Sequence, residues 1–339
     1  MKYYLAPMEG VTGRIFRNVY HACFPPMDKY FAPFITPNNN GRLSPRDYKE
    51  LDRKQNQGLY VVPQILTNQA DGFVLTAKTL KEMGYQEINL NLGCPSGTVV
   101  SKRRGAGFLG CPAELDHFLY DIISRTDIRI SVKTRIGMER EEEFGKLLEI
   151  YNRYPLKELI IHPRIRTDYY KNTPRMKIFR EGFVHSLNSV CYNGDIFTSA
   201  DYEHLTAEYP ALDKVMLGRG IAANPGLLQE FKTHRPMKKE QLFEFHGRLY
   251  HEYKEFLLPT SGERAVLFKM KEIWSYLIFL FPDSKRWEKK IKKAQSLSAY
   301  EEAVSSLFRE GIFLYPAKEA GLPNETEGDF LCSYIQLSI

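Results

Sequence analysis

From the first residue to about residue 225, short β-rich runs alternate with stretches whose apolar residues recur at helical spacing. Candidate strands are Tyr3–Ala6, Tyr30–Phe34, Leu59–Ile65, Glu87–Leu90, Ile128–Lys133, Glu158–His162, Ser189–Asn193 and Lys214–Leu217. Between them, Phe73, Ala77 and Leu80 share one helical face, with Gly84 as a stop. Leu115, Phe118, Leu119 and Ile122 repeat the pattern, as do Phe144, Leu147, Leu148 and Tyr151 ahead of Pro155. Strand–helix alternation of this kind over roughly 230 residues predicts an α/β protein built as a closed (β/α)8 barrel, a TIM barrel. The competing open doubly wound sheet carries a Gly-rich turn after its first strand, whereas here the turn reads Ala6-Pro7-Met8-Glu9-Gly10. After Pro225 the strands give way to helical patterns rich in aromatics and lysines. The chain therefore divides into a barrel over residues 1–235, a smaller helical domain over 236–311 and an irregular tail over 312–339, where Gly321, Pro323, Asn324 and Gly328 interrupt any pattern.

Composition narrows the class without deciding it. The 339 residues are 43% apolar and 26% charged, enough to bury a large core. A net charge of +6 is mildly basic and compatible with a nucleic-acid partner. The five cysteines are widely spaced, form no CxxC or Cys/His pairing, and argue against zinc or a disulfide framework. The opening Met1-Lys2-Tyr3-Tyr4-Leu5 runs directly into a strand instead of a signal-peptide core. No apolar run approaches the roughly 20 residues that span a bilayer. The expected setting is the cytoplasm, with no membrane and no metal.

In this barrel, chemistry sits where the strands end. The polar residues at those ends are Met8, Gln64, Asn91 with Cys94, Lys133 with Arg135, His162 with Arg164, Asn193 with Asp195, and Gly218 with Arg219. Asn193-Gly194-Asp195 and Gly218-Arg219-Gly220 close strands seven and eight, the usual phosphate site of such barrels, where glycines let the backbone approach and Arg219 adds charge. Lys133 is either a Schiff-base nucleophile or a fixed positive charge beside an anionic cofactor such as reduced flavin. Cys94 separates the two readings. It follows strand four in Asn91-Leu92-Gly93-Cys94-Pro95, where Gly93 permits a tight turn and Pro95 stiffens the loop. A thiol opposite a flavin could supply the proton that reduction of a C=C bond requires.

With these residues in view, the chain resembles the tRNA-dihydrouridine synthase family as far as about residue 310. The matching segments are Leu5-Ala6-Pro7-Met8-Glu9-Gly10-Val11, Gln64, Asn91-Leu92-Gly93-Cys94-Pro95-Ser96 and Gly105-Ala106-Gly107-Phe108-Leu109. Val132-Lys133-Thr134-Arg135-Ile136-Gly137, His162-Pro163-Arg164, Asn193-Gly194-Asp195-Ile196 and Gly218-Arg219-Gly220 follow in the family's order. The resemblance implies FMN in the barrel mouth, reduced by NADPH, with hydride passing to C6 of a uracil while Cys94 protonates C5. It places Pro7, Met8 and Glu9 beside the flavin, Gln64, Lys133 and His162 on its edge or ribityl chain, and Asn193, Gly194, Asp195, Gly218 and Arg219 at its phosphate. Asn91 and Arg135 would orient a base extruded from the RNA, since C5 and C6 are unreachable within a stack.

Two basic stretches speak for RNA independently of the resemblance. Ser101-Lys102-Arg103-Arg104 follows the cysteine loop and is expected to be mobile near the mouth. Arg164, Arg166, Lys171, Arg175, Lys177 and Arg180 face one acid, Asp168, with Tyr169 and Tyr170 interleaved as potential stacking surfaces. In the helical domain Lys269 and Lys271 rank above the lysines of 285–293, because Lys271-Glu272-Ile273-Trp274-Ser275-Tyr276 resembles the family's RNA-gripping helix, with Trp274 and Tyr276 read as core. After the strand-six histidine, where the family often has Gly, Gln and Tyr, this chain has Pro163, Asp168 and Tyr170, and Ala32-Pro33 stands where relatives often carry an acid. These departures leave the RNA and the uridine position open. The expected partner is RNA, tRNA above all, with rRNA or a small-molecule pyrimidine or enone as the alternative substrates.

Overall fold

Residue alternation along each strand sorts the barrel into an inner and an outer layer. The computed structural model describes residues 1–38, 41–282 and 284–313. Its strands are β1 (Lys2–Leu5), β2 (Lys29–Phe31), β3 (Val61–Val62), β4 (Gln64–Ile65), β5 (Glu87–Leu92), β6 (Arg129–Gly137), β7 (Leu159–Ile165), β8 (Val190–Asn193) and β9 (Lys214–Leu217). They form one parallel sheet in the order β3-β2-β1-β9-β8-β7-β6-β5-β4. The two ends of that order are halves of one strand broken at Pro63: Val61 and Val62 pair with β2, while Gln64 and Ile65 pair with β5. Proline has no N–H for a ladder, but its carbonyl still accepts from the Asn89 amide at 2.8 Å. The ring is thus an eight-segment barrel closed through residues 61–65, the fold the alternation predicts.

Strand boundaries differ from expectation in an instructive way. β6 and β7 run on to Gly137 and Ile165, beyond the expected ends at Lys133 and His162, because they continue to pair with each other through Arg135–His162 and, after a register shift, Gly137–Ile165. β5 runs on to Leu92, so Asn91 lies within a strand. β2 is shorter than expected and stops at Phe31.

Outward positions such as Tyr3, Leu5, Ile88, Leu90, Ile130, Val132, Leu159 and Ile161 join the main core under the helices. The inner positions divide into two kinds. Tyr4, Phe31, Val62, Ile160, Cys191 and Met216 form a small apolar cluster of their own. The alternate positions of β4, β5 and β6 are instead polar: Gln64, Asn89, Asn91, Ser131, Lys133 and Arg135. One arc of the lumen is therefore built for chemistry and the rest for packing.

The N-terminal end of the barrel is closed by charge. Lys29 Nζ donates to both carboxylate oxygens of buried Glu87 (2.9 and 2.8 Å) and to buried Glu158 (3.0 Å), and Tyr4 Oη donates to Glu158 at 2.8 Å. Beyond the barrel the chain is helical: Lys239–Leu277, turned at Gly262 (φ +74°), then Ser284–Lys293 and Leu297–Glu310. Trp274 and Trp287 are buried in this unit, and Trp274 Nε1 donates to Tyr300 Oη at 2.9 Å. Phe245 joins the unit to the barrel by edge-on contacts with Phe16 and Phe24. Of the expected tail, residues 314–339 lie outside the described residues.

Candidate active site

Cys94 is held from three directions. Asn91 Oδ1 accepts from the amides of Gly93 (3.0 Å) and Cys94 (2.9 Å), folding the loop back onto β5. The Cys94 carbonyl accepts from the Ala106 amide at 3.0 Å, and Arg135 Nε donates to the Gly93 carbonyl at 3.0 Å. Gly105 (φ +55°) lies so close that a Cβ there would stand 2.9 Å from the Cys94 carbonyl oxygen. The thiol is partly exposed. The neighbouring Lys102–Arg104 segment forms a hydrogen-bonded turn, with the amides of residues 102, 103 and 104 donating to the carbonyls of Val99, Val100 and Val99.

Beside this loop the site is strongly cationic. Lys133, across from Asn91 on β6, is half-buried and has no hydrogen-bond or ion-pair partner among the described residues. Burial first, and the nearby Arg135 guanidinium second, push its pKa down to about 8. His162 on β7 is buried; burial and then the charges of Arg135, Lys133, Arg164 and Arg219 hold it well below the usual histidine range, hence neutral. Arg164 is buried too, with Nη1 2.9 Å and Nη2 2.5 Å from the two Asp195 oxygens. Arg219 shares that acid at 2.6 Å and lies 4.4 Å from the Tyr170 ring centroid. Lys133, Arg135, Arg164 and Arg219 thus crowd neutral His162, and Asp195 pairs with two of them, a surplus that an anion would neutralise.

The first strand's exit loop meets the last strand's. A Cβ on Gly218 would stand 3.2 Å from Ala6 Cβ and 3.4 Å from Met8 Sδ, so Pro7 and Met8 adjoin the Gly218–Arg219 turn. Thr12, which sequence reading overlooks, staples this loop: its hydroxyl accepts from the Met8 amide (2.7 Å) and donates to the Ala6 carbonyl (2.8 Å). Asn193 Nδ2 donates to the Met216 carbonyl, and a Cβ on Gly194 would overlap the Tyr192 ring. Glu9 is turned to Arg46 at 2.8 Å.

The expected RNA-facing residues fall into two groups. Arg135 donates to the carbonyls of Gly93, Ile165 and Tyr169, and Arg164 to Asp195 and the Asn172 carbonyl, so both are occupied with the protein. Lys269 reaches the Gly10 carbonyl and Glu272, and Lys271 the Ala294 carbonyl. Tyr170 and Lys171 are exposed, and Arg166 is partly so. The stretch that looked uniformly basic is largely paired: Arg175 with Asp168 and Glu141, and Arg180 with Glu208. Asn89 and Ser131 are the other site residues the sequence did not single out. They look like ordinary strand positions, and only the lumen-facing register of β5 and β6 brings them under the mouth.

A (β/α)8 barrel with a loop-borne thiol, a half-buried lysine and a cation-rich rim at the strand ends defines a barrel enzyme whose chemistry sits at its C-terminal mouth. The chain belongs to the dihydrouridine synthase family, whose model matches residues 4–310. It is accordingly an oxidoreductase acting on uridine. It is 27% identical over 262 residues to the probable tRNA-dihydrouridine synthase 2 of Bacillus subtilis strain 168, covering 74% of this chain and 78% of that one. To tRNA-dihydrouridine synthase B of Pseudomonas putida strain KT2440 it is 28% identical over 235 residues, covering 68% and 67%. Morphinone reductase shares the fold alone, with a TM-score of 0.50 and 12% identity over 72% of this chain and 88% of that one. Among the described residues no cluster of His, Cys, Asp or Glu is placed to hold a metal ion, and no helix is long and apolar enough to cross a membrane.

Proposed function

We propose that the chain reduces uridines in tRNA to 5,6-dihydrouridine, using FMN as its flavin and NADPH as the reductant, in the cytoplasm. Residues 1–235 would form the catalytic domain and 236–311 a helical RNA-binding domain. The observation that carries the reading is the Lys133 ammonium beside the Cys94 loop, without a partner among the described residues, within a family of uridine reductases. A half-buried cation without a partner is costly unless something anionic completes it. The surplus positive charge around Asp195 fits the same anionic group.

When bound and reduced, the flavin supplies a hydride to C6 of the uracil ring. Every other role falls to the chain. Cys94 gives its thiol proton to C5, and the thiolate left behind takes a proton from solvent. Lys133, neutral His162 and Gln64 hold the polar edge of the cofactor, and Pro7 and Met8 its apolar surface. Asn193, Gly194, Asp195, Gly218 and Arg219 hold its phosphate end, while Glu9 fixes the loop beside it through Arg46. Asn91 and Arg135 organise the place of the target base, with Arg164 bracing Asp195 behind it. Arg166, Tyr170 and Lys171 meet the RNA from the barrel, and Lys269 and Lys271 set the helical unit's edge beside the mouth. Mass-spectrometric nucleoside analysis of RNA from cells with and without the gene tests this. Loss of a dihydrouridine from tRNA supports it, loss from rRNA alone changes the substrate, and no loss from either overturns it.

A further inference from the structure

The polar arc of the lumen is a single-file hydrogen-bond chain. The Gly93 and Cys94 amides donate to Asn91 Oδ1 (3.0 and 2.9 Å), and Asn91 Nδ2 donates to Gln64 Oε1 (2.8 Å). Gln64 Nε2 donates to Asn89 Oδ1 (2.7 Å), Asn89 Nδ2 to Ser131 Oγ (3.0 Å), and the Ser131 hydroxyl to the Ile88 carbonyl (3.2 Å). Both ends are backbone. Amide N–H groups can only donate and a carbonyl only accept, so the direction of every side-chain amide between them is dictated. Turning over Gln64 or Asn91 would set donor against donor and acceptor against acceptor, and turning over Asn89 would set its donor against Gln64 Nε2. Gln64, Asn89 and Ser131 are buried, so water cannot repair such a fault cheaply. All of these side chains except that of Asn91 stand on paired strand positions Gln64–Asn89 and Asn89–Ser131, and Asn91 lies two residues further along β5.

We propose that Asn89 and Ser131 are positioning residues for the Cys94 loop, setting the direction of Gln64 and Asn91 and, through Asn91, the placement of the thiol. The proposal rests on the reading of Cys94 as the proton donor. Neither residue touches Cys94; each acts through the chain of amides. Removing the Asn89 amide frees Gln64 to turn over, which takes the acceptor away from Asn91 Nδ2 and loosens the carboxamide that holds the two loop amides.

The test is the pH dependence of iodoacetamide alkylation at Cys94, followed peptide by peptide, alongside RNA-dependent reoxidation of the reduced flavoprotein. Asn89→Leu is expected to shift the alkylation profile and to slow reoxidation about tenfold. Ser131→Ala is expected to do the same more weakly. Asn89→Asp retains the acceptor for Gln64 Nε2 and is expected to restore most of both properties. A folded Asn89→Leu with wild-type alkylation and reoxidation overturns the proposal. If Asn89→Leu fails to fold, unchanged alkylation in Ser131→Ala overturns it instead. The premise is tested separately: wild-type reoxidation in Cys94→Ala removes the acid, while the alkylation profiles still report on positioning.

Discussion

Lys133 carries a cost that a ligand or loss of its proton can offset, and that cost has a sign. Its folded-state pKa of about 8 lies below the ~10.4 of an unfolded lysine. Between these values the unfolded chain binds more protons, so stability of the ligand-free protein rises with pH across that window. Retention of an anionic cofactor runs the other way, weakening as the ammonium loses its proton. Titrating flavin release and thermal melting from pH 7 to 10 should show the two trends crossing. Lys133→Met should raise the melting temperature of the ligand-free protein and abolish the pH dependence of flavin release. Cys94→Ala, by contrast, should keep bound flavin and RNA affinity and lose dihydrouridine formation; normal product yield from that variant would remove the proposed acid. Both residues were legible in the sequence because lysine and cysteine at strand ends are chemically conspicuous. Thr12, Asn89 and Ser131 were not, since nothing local marks a hydroxyl or carboxamide as part of a network. The partners of Arg164 were hidden for another reason: Asp195 lies 31 residues away.

The loop after β7 shows how one buried side chain can set a whole segment. Asp168 accepts from the Ile165 amide (2.9 Å), from Asn172 Nδ2 and from Arg175. Burial alone would raise its pKa, but these donors outweigh it and hold the carboxyl below the usual range. That stability is present above the unfolded value of ~3.9 and is lost as pH falls through the lower folded value. Asp168→Ala should cost about 2 kcal/mol. It should also speed proteolysis between Arg166 and Arg175, and the released Tyr170 should leave Arg219. Sequence patterning found the barrel strands but misjudged where β6 and β7 stop. A lysine, two arginines and a histidine read as the onset of loops when they point into a lumen, and only pairing between the two strands shows that the ladder continues.

At the scale of the whole molecule, chemistry and support occupy opposite ends of the barrel. Lys29 joins β2 to the start of β5 through Glu87 and to the approach of β7 through Glu158. Lys29→Met would leave two buried carboxylates without their cation, at a cost of about 3–5 kcal/mol. Chemical denaturation should show that loss, with the Cys94 alkylation profile of the folded variant unchanged. The closing segment at Pro63 has a different consequence. Residues 61–65 give two ladder positions to each neighbour, whereas β6 offers β7 a far longer seam. A ring fastened there by so short a stitch opens more readily than along the β6–β7 seam. Native-state hydrogen exchange should find the Ala32 and Asn89 amides, which donate to Val62 and Pro63, opening at lower free energy than those between β6 and β7. Solvent entering on the β5 side arrives beside Gln64 and Asn89, where it finds polar company, whereas on the β2 side it meets Val62 and Phe31, where it finds none.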